Sequence, residues 1–242
     1  MCLNAKQAFT LIEVVIAIAV LGIIISVVAV STNIIQSAKL NAQYSQLAKF
    51  DAAIVKFHER YEALPGDITI AYEIWGSDCA SISADCDGNG DSIIGGNGQD
   101  IERNAAWKHL ELAELITGNF TISATSYGGV SVPYGQIDDS MVSFTSDYNT
   151  DGTAVINGYN TLYLVTNDDS CNMRPVFSAQ QMYLMDQKFD DGLPSGKIAA
   201  GENDSCAPII MDCFDSATNS YTNIDDDKVL RCFLSFATSS SF

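Results

Sequence analysis

Oxygen-bearing side chains at alternate positions give this chain its clearest chemical signal. "DCDGNGDSIIGG" (85–96) and "DYNTDG" (147–152) both follow the front of a calcium loop, Asp-x-[Asp/Asn]-x-[Asp/Asn]-Gly, which aims successive oxygens at one hard cation. Asp85, Asp87, Asn89 and Asp91 are the candidate Ca2+ ligands of the first loop. A complete loop carries a glutamate at its twelfth position, where Gly96 and Gly158 stand here, so both matches are partial. Acidic Gly-Asn turns also occur in surface loops that bind nothing.

Sulfur is the second signal. Of seven cysteines, Cys2 lies near the start, whereas Cys79, Cys86, Cys171, Cys206, Cys213 and Cys232 form an even set in the distal region. Such a set in a non-cytosolic domain points to three disulfides. Short loops close most easily, which puts Cys79–Cys86 first, with Cys213–Cys232 and Cys171–Cys206 as weaker pairings. Zinc is disfavoured, because no Cys-x-x-Cys pair exists and both histidines, His58 and His109, stand far from the cysteines in sequence.

Other chemistries lack their parts. The run "GNGDSIIGGNGQD" has no Gly-Lys-[Ser/Thr] ending, and Asp85, Asp87 and Asp91 would repel a phosphate. No nucleophile stands beside a base and no metal set is complete, so an enzyme is not expected. From Asp67 onward 26 acids face 7 bases within a chain of net charge −18. A phosphate backbone would be repelled by that region, and no nucleic-acid partner is expected.

The elements that must carry these residues begin with an apolar segment. Val14 to Val30 is apolar apart from Ser26, and no charge intervenes between Glu13 and Lys39. At ~1.5 Å per residue this run reaches about 25 Å, near the ~30 Å of a hydrocarbon core, and predicts one crossing. No cleavage motif follows it, as one would after a signal peptide. Instead Leu40, Tyr44, Leu47, Phe50, Ile54 and Phe57 recur at helical spacing, and no proline precedes Pro65, so one helix is predicted from about Phe9 to Tyr61. With Lys6 on one side and an acidic, cysteine-bearing region on the other, the start is cytoplasmic and the bulk extracytoplasmic.

Beyond the helix the pattern is mixed. "NAAWKHLELAELITGNF" predicts an amphipathic helix from Asn104 to a stop at Gly118, and a shorter helix is predicted over Ala179–Lys188. "FTISATS", "MVSFT", "TAVING", "TLYLVT" and "KVLRCFLSF" read as antiparallel strands.

"KQAFTLIEVVIAIAVLGIIIS" resembles the start of type IV pilins and type II secretion pseudopilins: a short basic leader, a small residue, Phe-Thr-Leu-Ile-Glu, then an apolar helix. "RYEALPGDI", "AWKHLELAELITGNFT" and "MDQKFDDGLPSGKI" are also similar to pieces of larger prepilin-type proteins. The resemblance implies an α+β, pilin-like lollipop: a long N-terminal α-helix, its first half transmembrane, packed on an antiparallel β-sheet head with disulfides. It divides the chain into a leader (1–8), a transmembrane and assembly helix (9–30), the distal half of that helix (31–64) and an extracytoplasmic head (65–242).

It also implies a prepilin peptidase that cuts between Ala8 and Phe9, followed by N-methylation of Phe9. Glycine usually precedes the cut, where this chain has Ala8, and many relatives carry a helix-kinking proline where this chain has Val30. Glu13 becomes fifth in the mature chain. An acid deep in a bilayer costs about 2.5–3.5 kcal/mol. The amine of Phe9, in the same or a neighbouring subunit, is the cation expected to meet it and set register during assembly. Two functions follow from the resemblance. The first is a structural subunit of a pilus or pseudopilus, held in the bacterial inner membrane by a single pass, with other pilin or pseudopilin subunits as partners and its head in the periplasm or at the cell surface. The alternative is a minor or tip protein whose acidic head binds a partner or a secreted substrate.

Overall fold

The computed structural model describes residues 10–95, 100–123, 128–137, 140–146, 160–166, 175–201, 213–215, 217–225, 229–230 and 232–239, without the side chains at 27–33 and 100. The expected strand "TAVING", the whole second acidic loop, and Cys2, Cys171 and Cys206 lie outside these residues. The chain divides into two compact units, Met1–Lys39 and Leu40–Phe242.

Helix α1 runs from Leu11 to Tyr61, as the absence of an internal proline allows. In the first unit its described apolar side chains, from Leu11 to Ile25, are all exposed. Among the described residues no helix is long and apolar enough to cross a membrane.

In the second unit the same helix becomes a core element. Leu40, Leu47 and Ile54 repeat every seven residues, and Phe57 follows one turn later, all buried. Helix α2 (Ala71–Trp75), a 3-10 turn (Gly76–Asp78) and helix α3 (Ser83–Cys86) come next, then helix α4 (Asp100–Leu112), which begins before the expected Asn104. Strands β1 (Ser140–Thr145) and β2 (Thr161–Thr166) precede helix α5 (Ala179–Phe189). Ser178 and Gln181 start α5 with a reciprocal capping box. Strands β3 (Ile198–Gly201), β4 (Phe214–Asp215), β5 (Ser220–Tyr221) and β6 (Phe233–Ala237) complete the chain. "FTISATS" forms no strand in its described part, Phe120–Ser123.

The main sheet has the order β1-β2-β6-β3 and is antiparallel throughout, while β4 and β5 form a separate ribbon. Leu162 of β2 pairs with Phe236, and Leu164 with Leu234, so these four side chains share one face. Tyr44 of α1 meets that face edge-on at Phe236 (6.1 Å) and stacks on Phe189 of α5 (3.9 Å). Asp51, also on α1, accepts from the Ser239 amide (2.7 Å) and hydroxyl (2.8 Å), with the Lys197 ammonium at 3.6 Å. The distal part of α1 is therefore the backing of the sheet.

The lower end of α1 packs on aromatic and imidazole rings. Phe57 stacks near His109 of α4, and Tyr61 meets Trp75 of α2 edge-on. His109 is fully buried: its Nδ1 accepts from the Gly66 amide (2.9 Å), which leaves Nε2–H to donate to the Cys86 carbonyl (3.0 Å). Gly66 has φ 93° and faces the Glu102 carbonyl, a close approach that a β-carbon would block. Burial holds the His109 pKa down at about 4.

Two measurements test this core. Phe57→Ala should cost about 3–5 kcal/mol in urea unfolding of the full chain in detergent, because a buried ring leaves a cavity. His109 has a folded pKa below its unfolded 6.5, so its stabilisation is complete above 6.5 and is lost as pH falls toward 4. The raised pKa of Asp67, Glu102 and Asp186 acts in the opposite direction over part of this range. Comparison with His109→Gln cancels their effect, and wild type should lose about 3 kcal/mol relative to that variant between pH 7 and pH 4.

Candidate functional site

At the start of α1, Thr10 and Glu13 form a reciprocal cap. The Glu13 carboxylate accepts from the Thr10 amide (2.8 Å) and hydroxyl (2.7 Å), and the Glu13 amide lies 3.4 Å from the same hydroxyl. Thr-x-x-Glu ahead of an apolar run is a signature of this cap, so the pairing was legible at residues 10–13, although sequence reasoning passed over it. Both Thr10 donors fall on Oε2. Oε1 has no hydrogen-bond partner among the described residues. Ala8 and Phe9, the expected cleavage and methylation positions, lie outside them.

Beyond the cap, Val15, Ile16, Ile23 and Ile25 are each at least half exposed. Ser26 turns its hydroxyl back to the Ile23 carbonyl (2.7 Å), which removes a polar group from an otherwise apolar surface. A continuous apolar helix surface of this kind is unstable in water and requires a covering phase or partner.

The second unit holds the other expected residues. Cys79–Cys86 and Cys213–Cys232 are disulfides, with Cα separations of 5.8 and 5.4 Å. Folding places His109 against the first of them, and the ligand atoms of Cys79, Cys86 and His109 lie within 4.8 Å of one another. Sequence distance concealed this proximity. The sulfurs are spent in the disulfide and both imidazole nitrogens in hydrogen bonds, so the trio is a packed structural knot.

The candidate ligands of the first acidic loop are not gathered on one point. Asp87 accepts from the Tyr72 amide (2.7 Å), and Asn89 donates from Nδ2 to Asp91 (2.9 Å). Asp91 also caps the Ile93 amide (2.8 Å), and Asp85 is exposed on α3. Backbone amides of this loop instead point at two buried carboxylates from outside it. Asp67 accepts from Gly90 (2.7 Å), Asp91 (3.1 Å) and Ser92 (2.9 Å), while Glu102 accepts from Asn89 (3.2 Å) and Gly95 (3.3 Å). Desolvation, the largest effect, pushes both carboxyls above their ordinary pKa, and mutual repulsion with Asp91 adds to it against the amide hydrogen bonds. The alternation of Gly, Asn and Asp thus builds turns whose amides converge on acids.

A further group, Asp186, Asp190 and Asp191, lies at the end of α5. Asp186 is buried and accepts from the Tyr221 hydroxyl (2.6 Å) and the Gly192 amide (3.1 Å). Burial raises its pKa to about 6, and the adjacent acids add to the shift. It joins α5 to the β4–β5 ribbon.

No curated protein and no solved structure matches the chain. One family model does, that of the prokaryotic N-terminal methylation motif, over residues 3–29. Those residues include the Thr10–Glu13 cap and the exposed apolar turns of α1. The chain therefore carries, at its amino terminus, the methylation motif that is the signature of type IV pilins and pseudopilins.

Proposed function

We propose that this protein is a structural prepilin-like subunit, cut between Ala8 and Phe9, N-methylated on Phe9, and polymerised into a type IV pilus or a type II secretion pseudopilus. The single observation that carries the reading is the methylation motif at residues 3–29 on a helix whose described apolar side chains are exposed from Leu11 to Ile25. Before assembly that surface is covered by the inner membrane, which the segment crosses once. After assembly it is covered by the equivalent helices of other subunits. The hydrophobic contribution is the same in both, at about 25 cal/mol per Å² of apolar surface removed from water, so transfer from lipid to filament need not expose it.

Glu13 has a part in this transfer. Its carboxylate is retained near the helix start by Thr10 and offers Oε1 to the methylated amine of Phe9 on a neighbouring subunit. An incoming helix without the acid leaves that amine buried and unpaired, which is costly.

Mass spectrometry of the mature chain tests the processing step. A chain that starts at N-methyl-Phe9 is expected, and an intact Met1 would reduce the protein to a plain anchor. Glu13→Ala should leave membrane insertion unchanged while removing the chain from sheared filaments, as read by immunoblot. Normal incorporation of the variant would overturn the register role.

A further inference from the structure

Within the second unit a groove of about 860 Å³ runs beside α1. Phe50 and Ala53 of α1 form one wall, and Ile116, Phe120 and Pro133 contribute the other. Its sides are fixed in place. Gln46 donates to the Tyr134 carbonyl (2.8 Å), Gln43 accepts from the Gln136 amide (2.6 Å), and Arg60 holds the Ala113 carbonyl (3.0 Å). Two lysines of the lining, Lys49 and Lys56, stand seven residues apart and hence on one face of α1. Both are exposed, and neither has a hydrogen bond or ion pair among the described residues. Glu114 is the one acid of the lining.

The complement of such a groove is a segment with both apolar and acidic side chains, and the chain contains one. Between Arg60 and Arg103 there is no Lys, Arg or His, whereas nine acids occur. Over α2 and α3 that stretch exposes Ile70, Ile74 and Ile82, which are 50%, 42% and 55% exposed, alternating with exposed Glu73, Asp78 and Asp85. No residue of 70–85 lines the groove.

We propose that the groove receives the 70–85 segment of a second copy of this chain, with Lys49 and Lys56 facing its acids and the isoleucines seated on Phe50, Ile116 and Phe120. Charge complementarity decides the occupant: in a chain of net charge −18, these two free lysines mark a place where another copy's acids are attracted instead of repelled. The two surfaces differ, so the contact is heterologous. Each bound copy leaves a groove open at one end and a segment open at the other, and the contact propagates into an open polymer or a ring. The inference rests on the polymerising subunit described above and names a contact between its heads.

The test places a photo-cross-linking p-benzoylphenylalanine at Ala52, an exposed lining residue, in the full chain, and maps cross-linked peptides from sheared filaments. Cross-links to residues 70–85 of another copy are expected. Lys49→Glu with Lys56→Glu should lower their yield about tenfold, and adding Glu73→Lys with Asp78→Lys should restore it. Filaments that contain the chain but cross-link elsewhere, to another protein or not at all, overturn the docking and leave the subunit role standing. Absence of the wild-type chain from filaments overturns both.

Discussion

Burial of the α1 stripe is the constraint on which the second unit depends. Leu40, Leu47, Ile54 and Phe57 present a surface that only a sheet face and flanking helices can cover, and the covering elements come from widely separated parts of the chain. Tyr44 reaches Phe189 and Phe236, Phe50 reaches Trp107, and Tyr61 reaches Trp75. Polar contacts then fix what apolar burial leaves free. Asp51 holds the strand that ends at Ala237 by bonding to Ser239, and Gln43 and Gln46 hold the 134–136 segment. Because these bonds are directional, they set the position of elements along the helix, which non-directional burial cannot do.

Much of this was legible where one periodicity ran uninterrupted. The seven-residue repeat of α1, the β-branched and aromatic run Thr161–Thr166, and the apolar faces of α4 and α5 each specify an element locally. Strand β3 was not legible, because Ile198-Ala-Ala-Gly has little strand preference of its own and owes its form to pairing with Phe233–Phe236. The expected last strand began too early: Val229 and Leu230 are exposed, a single bridge to Phe177 forms at Cys232, and the strand proper starts at Phe233. His109 shows a different limit. Its contact with Cys86 spans 23 residues and exists only after α4 packs under α1.

The acidic loop shows how one pattern can serve two chemistries. Alternating Asp, Asn and Gly impose tight turns, and a tight turn orders both the side-chain oxygens and the backbone amides. Sequence reasoning followed the oxygens toward a cation. In the structure the amides of residues 89–95 meet Asp67 and Glu102, two acids that no spacing rule connects to the loop. Gly88 makes this possible, since a β-carbon there would collide with the backbone of Gly66 and Asp67. The head can thus keep buried acids without a basic residue anywhere between Arg60 and Arg103.

Glu13 was read from the sequence as a charge in need of a partner, and Thr10 supplies one that was overlooked. A cap of this kind contributes about 1 kcal/mol, whereas an acid deep in lipid costs about 2.5–3.5 kcal/mol, so the cap alone does not explain the residue. The geometry removes the apparent competition between the two roles. Thr10 uses only Oε2, and the bonds it makes orient the carboxylate near the helix start. In the proposed assembly, local capping reduces the side-chain entropy lost when the Phe9 amine of a neighbouring subunit arrives at Oε1. A glutamine here could accept the same local bonds through its carbonyl oxygen but would carry no charge for the amine. In the proposed assembly, the need for a carboxylate, and not merely a capping residue, arises between chains.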